Sequence, residues 1–375
     1  MKLPSLIHAP TLALPARRKG FSIIELMVAM TIGLVLVAGL FYVYLGAAQS
    51  SRFQGALAAM QSNARFAFEI MGVDLRMTGF TGSQVTNPQN VVNVVLTGNL
   101  CPMVDAFGNK NCTAGGNPVA GPLVGYENTN PPNVCTTANT TPCYRAGTDS
   151  LTVVRVDTAN KYTVTAHDAV AKTFTLASWP ASDEPKPGEI FVAADYINAA
   201  VFQTGSTTTS PTVSYGAGGS PGNGVNPSLG TFGPSINALG LYRLSGVSYY
   251  VGRNPVGEPA LYREKLGHDT GPPPALDTTA EELVQGVDDM EITYGVDATD
   301  PINNVEGYWT AAQVTAGTDG TSTMPAGTPR DYWRRVLSVR ITLTLVSGQN
   351  EKVGTAGDKL LRKTFTNTIA IRNRI

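Results

Sequence analysis

The sequence predicts an α+β fold: one long N-terminal helix, transmembrane and then amphipathic, packed on the antiparallel β-sheet of a large β-rich head. Three observations lead there. Phe21 to Leu45 is an uninterrupted apolar run. Behind it, apolar residues recur at helical spacing from Phe53 to Leu75. The remainder is rich in Gly (39 in the chain) and Pro (25) and carries short segments of alternating polarity, which favours short strands and turns over further helices. With 375 residues, 42% hydrophobic and 15% charged, the chain is long enough for one large domain or two ordinary ones. A net charge of −1, with Arg17-Arg18-Lys19 as the only basic run, argues against direct nucleic-acid binding.

Phe21 to Leu45 contains a single charged residue, Glu25, and as a helix at ~1.5 Å per residue it reaches about 37 Å, enough to cross a bilayer. Three cations precede it and the next charge is Arg52, so the positive-inside rule keeps residues 1–19 in the cytoplasm and sends the rest across the membrane. A secretory signal peptide, with Gly46-Ala47-Ala48 at its cleavage site, would need a shorter apolar core. A plain single-pass anchor explains the length but not an acid at the fifth position, where a carboxylate in hydrocarbon costs up to ~2–3 kcal/mol and calls for a partner. Snorkelling of Glu25 to the interface, four residues from Phe21, is the third ordinary reading.

The string Arg17-Arg18-Lys19-Gly20-Phe21-Ser22-Ile23-Ile24-Glu25-Leu26 resembles the processing site of type IV prepilins. It has basic residues, the obligatory Gly, an aromatic that becomes the new N-terminus, and a Glu five places in. The resemblance implies that a prepilin peptidase cleaves between Gly20 and Phe21 and methylates the Phe21 amine. It also implies that the Glu25 carboxylate pairs with the N-terminal ammonium of a neighbouring subunit, a registration device because either charge is costly to leave alone away from water. The leader departs from the common pattern in its length and in Pro4, Pro10 and Pro15. The resulting expectation is a leader at 1–20, a transmembrane helix half at 21–48, an amphipathic half at 49–78 and a β-rich periplasmic head at 79–375.

In the second half of the helix, Phe53, Leu57, Met60, Ala64, Phe68, Met71 and Leu75 make one apolar face, whose ordinary use is packing on a sheet; Gly79 and Gly82 end it. The clearest strand is Leu337 to Leu345, apolar at every second position. Other expected strands are Val91–Leu96, Leu151–Asp157, Lys161–Thr165, Thr173–Leu176, Glu189–Phe202, Leu241–Gly252, Ala260–Lys265, Met290–Val296 and Thr364–Arg372. Glu281–Val287 fits either a short helix or an edge strand. Residues 204–238, rich in Gly, Ser, Thr, Pro and Asn without apolar period, read as a long flexible loop.

Glu69 to Phe80 (EIMGVDLRMTGF) is similar to the helix end of the PilW family of minor pilins, and weaker matches follow in order at Asp195–Gln203, Pro259–Arg263, Leu283–Gly295, Trp333–Leu345 and Thr368–Asn373. This resemblance implies a pilin-like fold. It implies a minor pilin that primes type IV pilus assembly with other minor pilins and the major pilin, working with an inner-membrane assembly platform. A place near the filament tip, with a tip adhesin as a further partner, follows from the same resemblance. The related minor pseudopilin J of type II secretion is the alternative within the class. A membrane-tethered periplasmic enzyme, adhesin or sugar-binding module is the alternative outside it.

Cys101, Cys112, Cys135 and Cys143 are an even number in a loop-rich stretch of the exported part, where thiols oxidise, so two disulfides are expected. Three connectivities exist; proximity favours Cys101 with Cys112 and Cys135 with Cys143. No Cys-x-x-Cys spacing or nearby His supports zinc. No catalytic residue and no cofactor is expected: His8 falls in the leader, His167 and His268 have no nucleophile context and read as surface residues, and no phosphate loop, nucleophile elbow or metalloprotease motif occurs. Asp288, Asp289 and Glu291, or Asp297 with Asp300, lack the spacing of a calcium loop and read as turns or solvated faces.

Overall fold

A single helix, α1, runs from Ile23 to Arg76 in the computed structural model of the chain. The structure describes residues 20–82, 89–90, 113–114, 117–118, 122–129, 145–179, 184–196, 198–205, 211–217, 223, 229, 232, 239–266, 278–348 and 360–372. It divides into two units, residues 1–54 and 55–375. The first holds the initial part of α1, without a proline to interrupt it and with large apolar side chains such as Ile23, Leu34 and Tyr42 exposed.

The second unit begins inside α1. Here Met60, Ala64, Ala67, Met71 and Leu75 are buried at steps of three and four, so one face of the helix is sealed against the sheets, with Leu57 and Phe68 packed at its margins. Each large aliphatic side chain removed from water in this way contributes about 2–3 kcal/mol. The helix ends where Gly79 takes a left-handed φ of 76°, and the chain pairs at once with the sheet: Gly79 N–H donates to Val154 O and Val156 N–H to Phe80 O.

The strands, in chain order, are β1 (Gln89–Asn90), β2 (Thr113–Ala114), β3 (Asn117–Pro118), β4 (Leu123–Tyr126), β5 (Ser150–Val156), β6 (Tyr162–Asp168), β7 (Thr173–Leu176), β8 (Ile190–Ala194), β9 (Ala199–Gln203), β10 (Thr212–Ser214), β11 (Gly240–Arg253), β12 (Pro259–Leu266), β13 (Thr278–Gln285), β14 (Val287–Val296), β15 (Gly307–Trp309), β16 (Val336–Val346) and β17 (Arg362–Ala370). Two short helices, α2 (Ala311–Ala316) and α3 (Pro329–Trp333), lie between β15 and β16. The fold is the α+β arrangement expected: one long helix and a large antiparallel sheet region.

Strand β11 organises the larger sheet. Its 14 residues pair antiparallel with β12 over Gly246–Arg253, with β5 over Leu244–Tyr249, and with β6 and β8 at its Gly240 end. One strand thus serves two cores. The first joins α1 to β5, β11 and the four-stranded sheet β15-β14-β16-β17, and contains Met71, Leu151, Tyr249, Tyr294, Trp333 and Ile341. The second, at the Gly240 end, is aromatic: Tyr162, Phe174, Phe191, Phe202 and Tyr215 close around Leu241. Gly286 lets β13 turn directly into β14 at φ 78°, and a Cβ there would meet the Val346 carbonyl at 2.7 Å.

Several expectations are revised by particular residues. Glu189–Phe202 is two strands, because Asp195 accepts the Asn198 N–H at 2.6 Å and turns β8 into β9. Glu281–Val287 is strand on both sides of Gly286, since β13 pairs with β12 and β14 with β16. Within 204–238, β10 pairs with β7, Tyr215 is buried, and the Asn223 amide binds Gln203 and Tyr215. The described part of that stretch is therefore tied to the second core by side-chain hydrogen bonds that composition does not reveal. Val91–Leu96 lies outside the described residues.

Candidate functional site at the start of the helix

Gly20 precedes the helix outside regular structure, Phe21 is 84% exposed, and the first helical turn closes when Leu26 N–H donates to Ser22 O at 3.0 Å. A Cβ added to Gly20 would meet no atom within 4 Å, so nothing among the described residues demands glycine there. Glu25 lies exposed in the first turn of α1, near the positive end of the helix dipole. Among the described residues no basic side chain pairs with it.

Around Glu25 the surface is apolar. Ile24, Met27, Leu34, Leu36, Leu40, Phe41 and Leu45 are each more than half exposed, far beyond what a water-facing helix carries. Thr31 donates its hydroxyl to Val28 O at 2.8 Å, so this polar side chain is satisfied within the helix. The arrangement suits lipid or the packed helices of other subunits, and the exposed helix fits a membrane-anchored pilin. Arg17, Arg18 and Lys19, the four residues Cys101, Cys112, Cys135 and Cys143, and His8 and His268 lie outside the described residues.

A buried charge network holds the other end of α1. Asp74, 3% exposed, accepts from Arg155 Nε at 3.0 Å and Nη2 at 2.8 Å on one oxygen, and from the Tyr249 hydroxyl at 2.6 Å on the other. Burial and the Asp74 carboxylate push the Tyr249 hydroxyl upward, so it stays a donor. Asp74 belongs to the helix-end segment singled out in the sequence, but its partners are 81 and 175 residues away and left no local signal.

The remaining candidates resolve into structural roles. His167 is half-buried rather than free at the surface: its ring stacks on Phe174 with centroids 4.5 Å apart, and Nε2 lies 2.7 Å from the Tyr215 hydroxyl. Burial lowers its pKa, aided by Lys172 and opposed by Asp168, while burial pushes Tyr215 up to about 12. Asp288 pairs with Arg145 and Arg362, and Asp300 with Arg335. Asp297 accepts the backbone N–H groups of Thr299, Asn303 and Asn304 and the Thr299 hydroxyl. Burial would raise its pKa, but these donors outweigh it and bring it to about 2. Among the described residues no group of three His, Cys, Asp or Glu side chains is placed to hold a metal ion.

Comparison with known families gives two matches. Residues 15–41 match the prokaryotic N-terminal methylation motif, covering Gly20 to Glu25 and the first turns of α1. Residues 248–373 match the type IV pilus-assembly protein W family, covering β12 to β17. The similar segments at Glu69–Phe80 and Asp195–Gln203 lie outside that match. No curated relative and no solved structure matches the chain. These families are structural components of pili, and with the exposed helix and the antiparallel sheets the two matches support a type IV prepilin-like protein of the PilW family, a pilus-related minor pilin.

Proposed function

We propose that the chain is the precursor of a minor pilin that is cut between Gly20 and Phe21, methylated on the Phe21 amine, and incorporated at or near the tip of a type IV pilus. The observation that carries the reading is the methylation-motif match over an exposed Gly20-Phe21 bond directly before the helix. Cleavage leaves a new ammonium at Phe21, four positions before Glu25. Residues 21–48 hold the subunit in the inner membrane with its head in the periplasm. During assembly the exposed apolar face leaves lipid for the helices of neighbouring subunits. There the Glu25 carboxylate meets the N-terminal ammonium of a neighbour, a pair whose separation in a medium of low dielectric is costly, so register is imposed.

The match to the pilus-assembly family favours the pilus over the type II secretion pseudopilus. Other minor pilins, the major pilin and the assembly platform are the expected partners, and the priming role rests on the family likeness. The protein is a substrate of the prepilin peptidase rather than an enzyme. In the oxidising periplasm, Cys101, Cys112, Cys135 and Cys143 form two disulfides. The test is the composition of sheared surface fibres. The mature protein should be found in them at low stoichiometry; its exclusion from fibres that assemble normally without it would overturn the reading.

A further inference from the structure

The four-stranded sheet ends in β17, and the edge of that strand is unusually available. It pairs with β16 over nine successive residues, Arg362 to Ala370, with no register shift. The other edges are less suited: β15 has three residues, and the β12–β13 ladder is interrupted at Leu261/Tyr262. Native proteins blunt long edge strands with bulges, prolines or inward charges. β17 carries no proline, and its charges, Arg362 and Lys363, sit at one end.

The ladder shows which backbone groups face outward. Leu337 O accepts the Ile371 N–H, and Leu361 O accepts the Ser347 N–H. Antiparallel pairs alternate, so odd-numbered residues of β17 bond to β16 while Arg362, Thr364, Thr366, Thr368 and Ala370 turn their N–H and C=O groups away. Thr364, Thr366 and Thr368 are exposed, and among the described residues no backbone group bonds to that side.

A groove of about 620 Å³ runs between this strand and α1, lined by Phe68, Phe365, Arg65, Arg76, Glu69 and Asn367 among others. Neither Arg65 nor Arg76 has an ion-pair partner among the described residues. With two arginines against the single carboxylate of Glu69, the groove is basic.

We propose that β17 is a docking edge that accepts an extended strand from the head of a neighbouring pilus subunit, the added strand carrying acidic side chains toward Arg65 and Arg76. Only an extended backbone supplies alternating acceptors and donors to five outward-facing residues. A second copy of this chain pairing through the same edge would set its own Arg362 and Lys363 beside a basic groove, so the charge favours a different, acidic strand. Side chains on one face of the added strand enter the groove over Phe365, and those on the other join the cross-strand hydroxyl pairs Thr344–Thr364 and Thr342–Thr366.

This inference rests on the filament reading, and one experiment separates the two. Amide hydrogen exchange is measured for the full-length protein in detergent and for the mature protein in sheared fibres. Exchange at Thr364, Thr366 and Thr368 should slow by about tenfold or more in the fibres. In an Arg65→Glu/Arg76→Glu variant, whose exposed helix positions tolerate the change, that protection should be lost. Presence in fibres with fast exchange at all three amides overturns the docking edge alone, and protection that survives the charge reversal overturns the acidic strand. Absence from fibres overturns both.

Discussion

The Tyr249 hydroxyl donates to Asp74 Oδ2 at 2.6 Å, while Arg155 grips Oδ1 of the same carboxylate. This pair of contacts locks the last turn of α1 to β5 and β11, of which β11 also reaches the second core. The helix therefore cannot shift along the sheet without breaking the pairing of a buried charge.

Asp74→Ala is expected to cost about 3–5 kcal/mol, because it strands the partly buried guanidinium of Arg155. Tyr249→Phe should cost less, about 1.5–3 kcal/mol, since the ion pair survives. Urea unfolding of the detergent-solubilised protein, followed through buried Trp333, measures both. Losses below about 1 kcal/mol for Asp74→Ala would show that the network does not hold the helix.

Asp297 predicts an acid limb in stability. Its carboxyl has a pKa of about 2 in the folded protein against about 3.9 when unfolded. Between these values the unfolded chain binds a proton that the folded one refuses, so the contribution is fully present above about pH 4 and is lost as pH falls through about 2. Asp297→Asn should be less stable at neutral pH and should show a shallower loss between pH 4 and 2. Chemical denaturation across that range checks it; parallel curves for the two proteins would contradict the assignment.

Gly20→Ala should accumulate uncut precursor while leaving the head's unfolding midpoint unchanged, because a methyl group at this position meets nothing in the fold. Immunoblotting for precursor and product, beside a melting curve, reads both effects. Normal processing of the variant would remove the glycine from the recognition event.

Glu25→Ala should be cut and methylated normally yet fail to enter fibres, since its carboxylate is exposed in the isolated chain and has no folding role there. The relevant quantity is the ratio of mature protein in sheared fibres to that in membranes. A wild-type ratio would mean that register is set elsewhere.

The match to the N-terminal methylation motif was legible in the sequence because that motif is carried by consecutive residues, Gly20 to Glu25 among them, and the fold adds only their exposure. Strands with a clean period of two were also legible: Leu337–Leu345 lies within β16, and Thr173–Leu176 coincides with β7. Glu189–Phe202 hid its turn because Asp195 and Asn198 are only two polar residues in an apolar run, too few to outweigh it in composition. The capping box of Thr310 and Gln313 that starts α2 was readable in principle, but a helix of six residues has no period to announce it. Arg155 and Tyr249 around Asp74, and the aromatic ring set about His167, could not be read at all, since long-range pairing leaves no trace in local spacing.

The N-terminal sequence and intact mass of the protein from cells with and without the prepilin peptidase decide whether the Gly20-Phe21 bond is cut. The chain should start at methylated Phe21 when the peptidase is present and retain residues 1–20 when it is absent. A start at Gln49, or an uncut leader in cells with active peptidase, would contradict that cleavage.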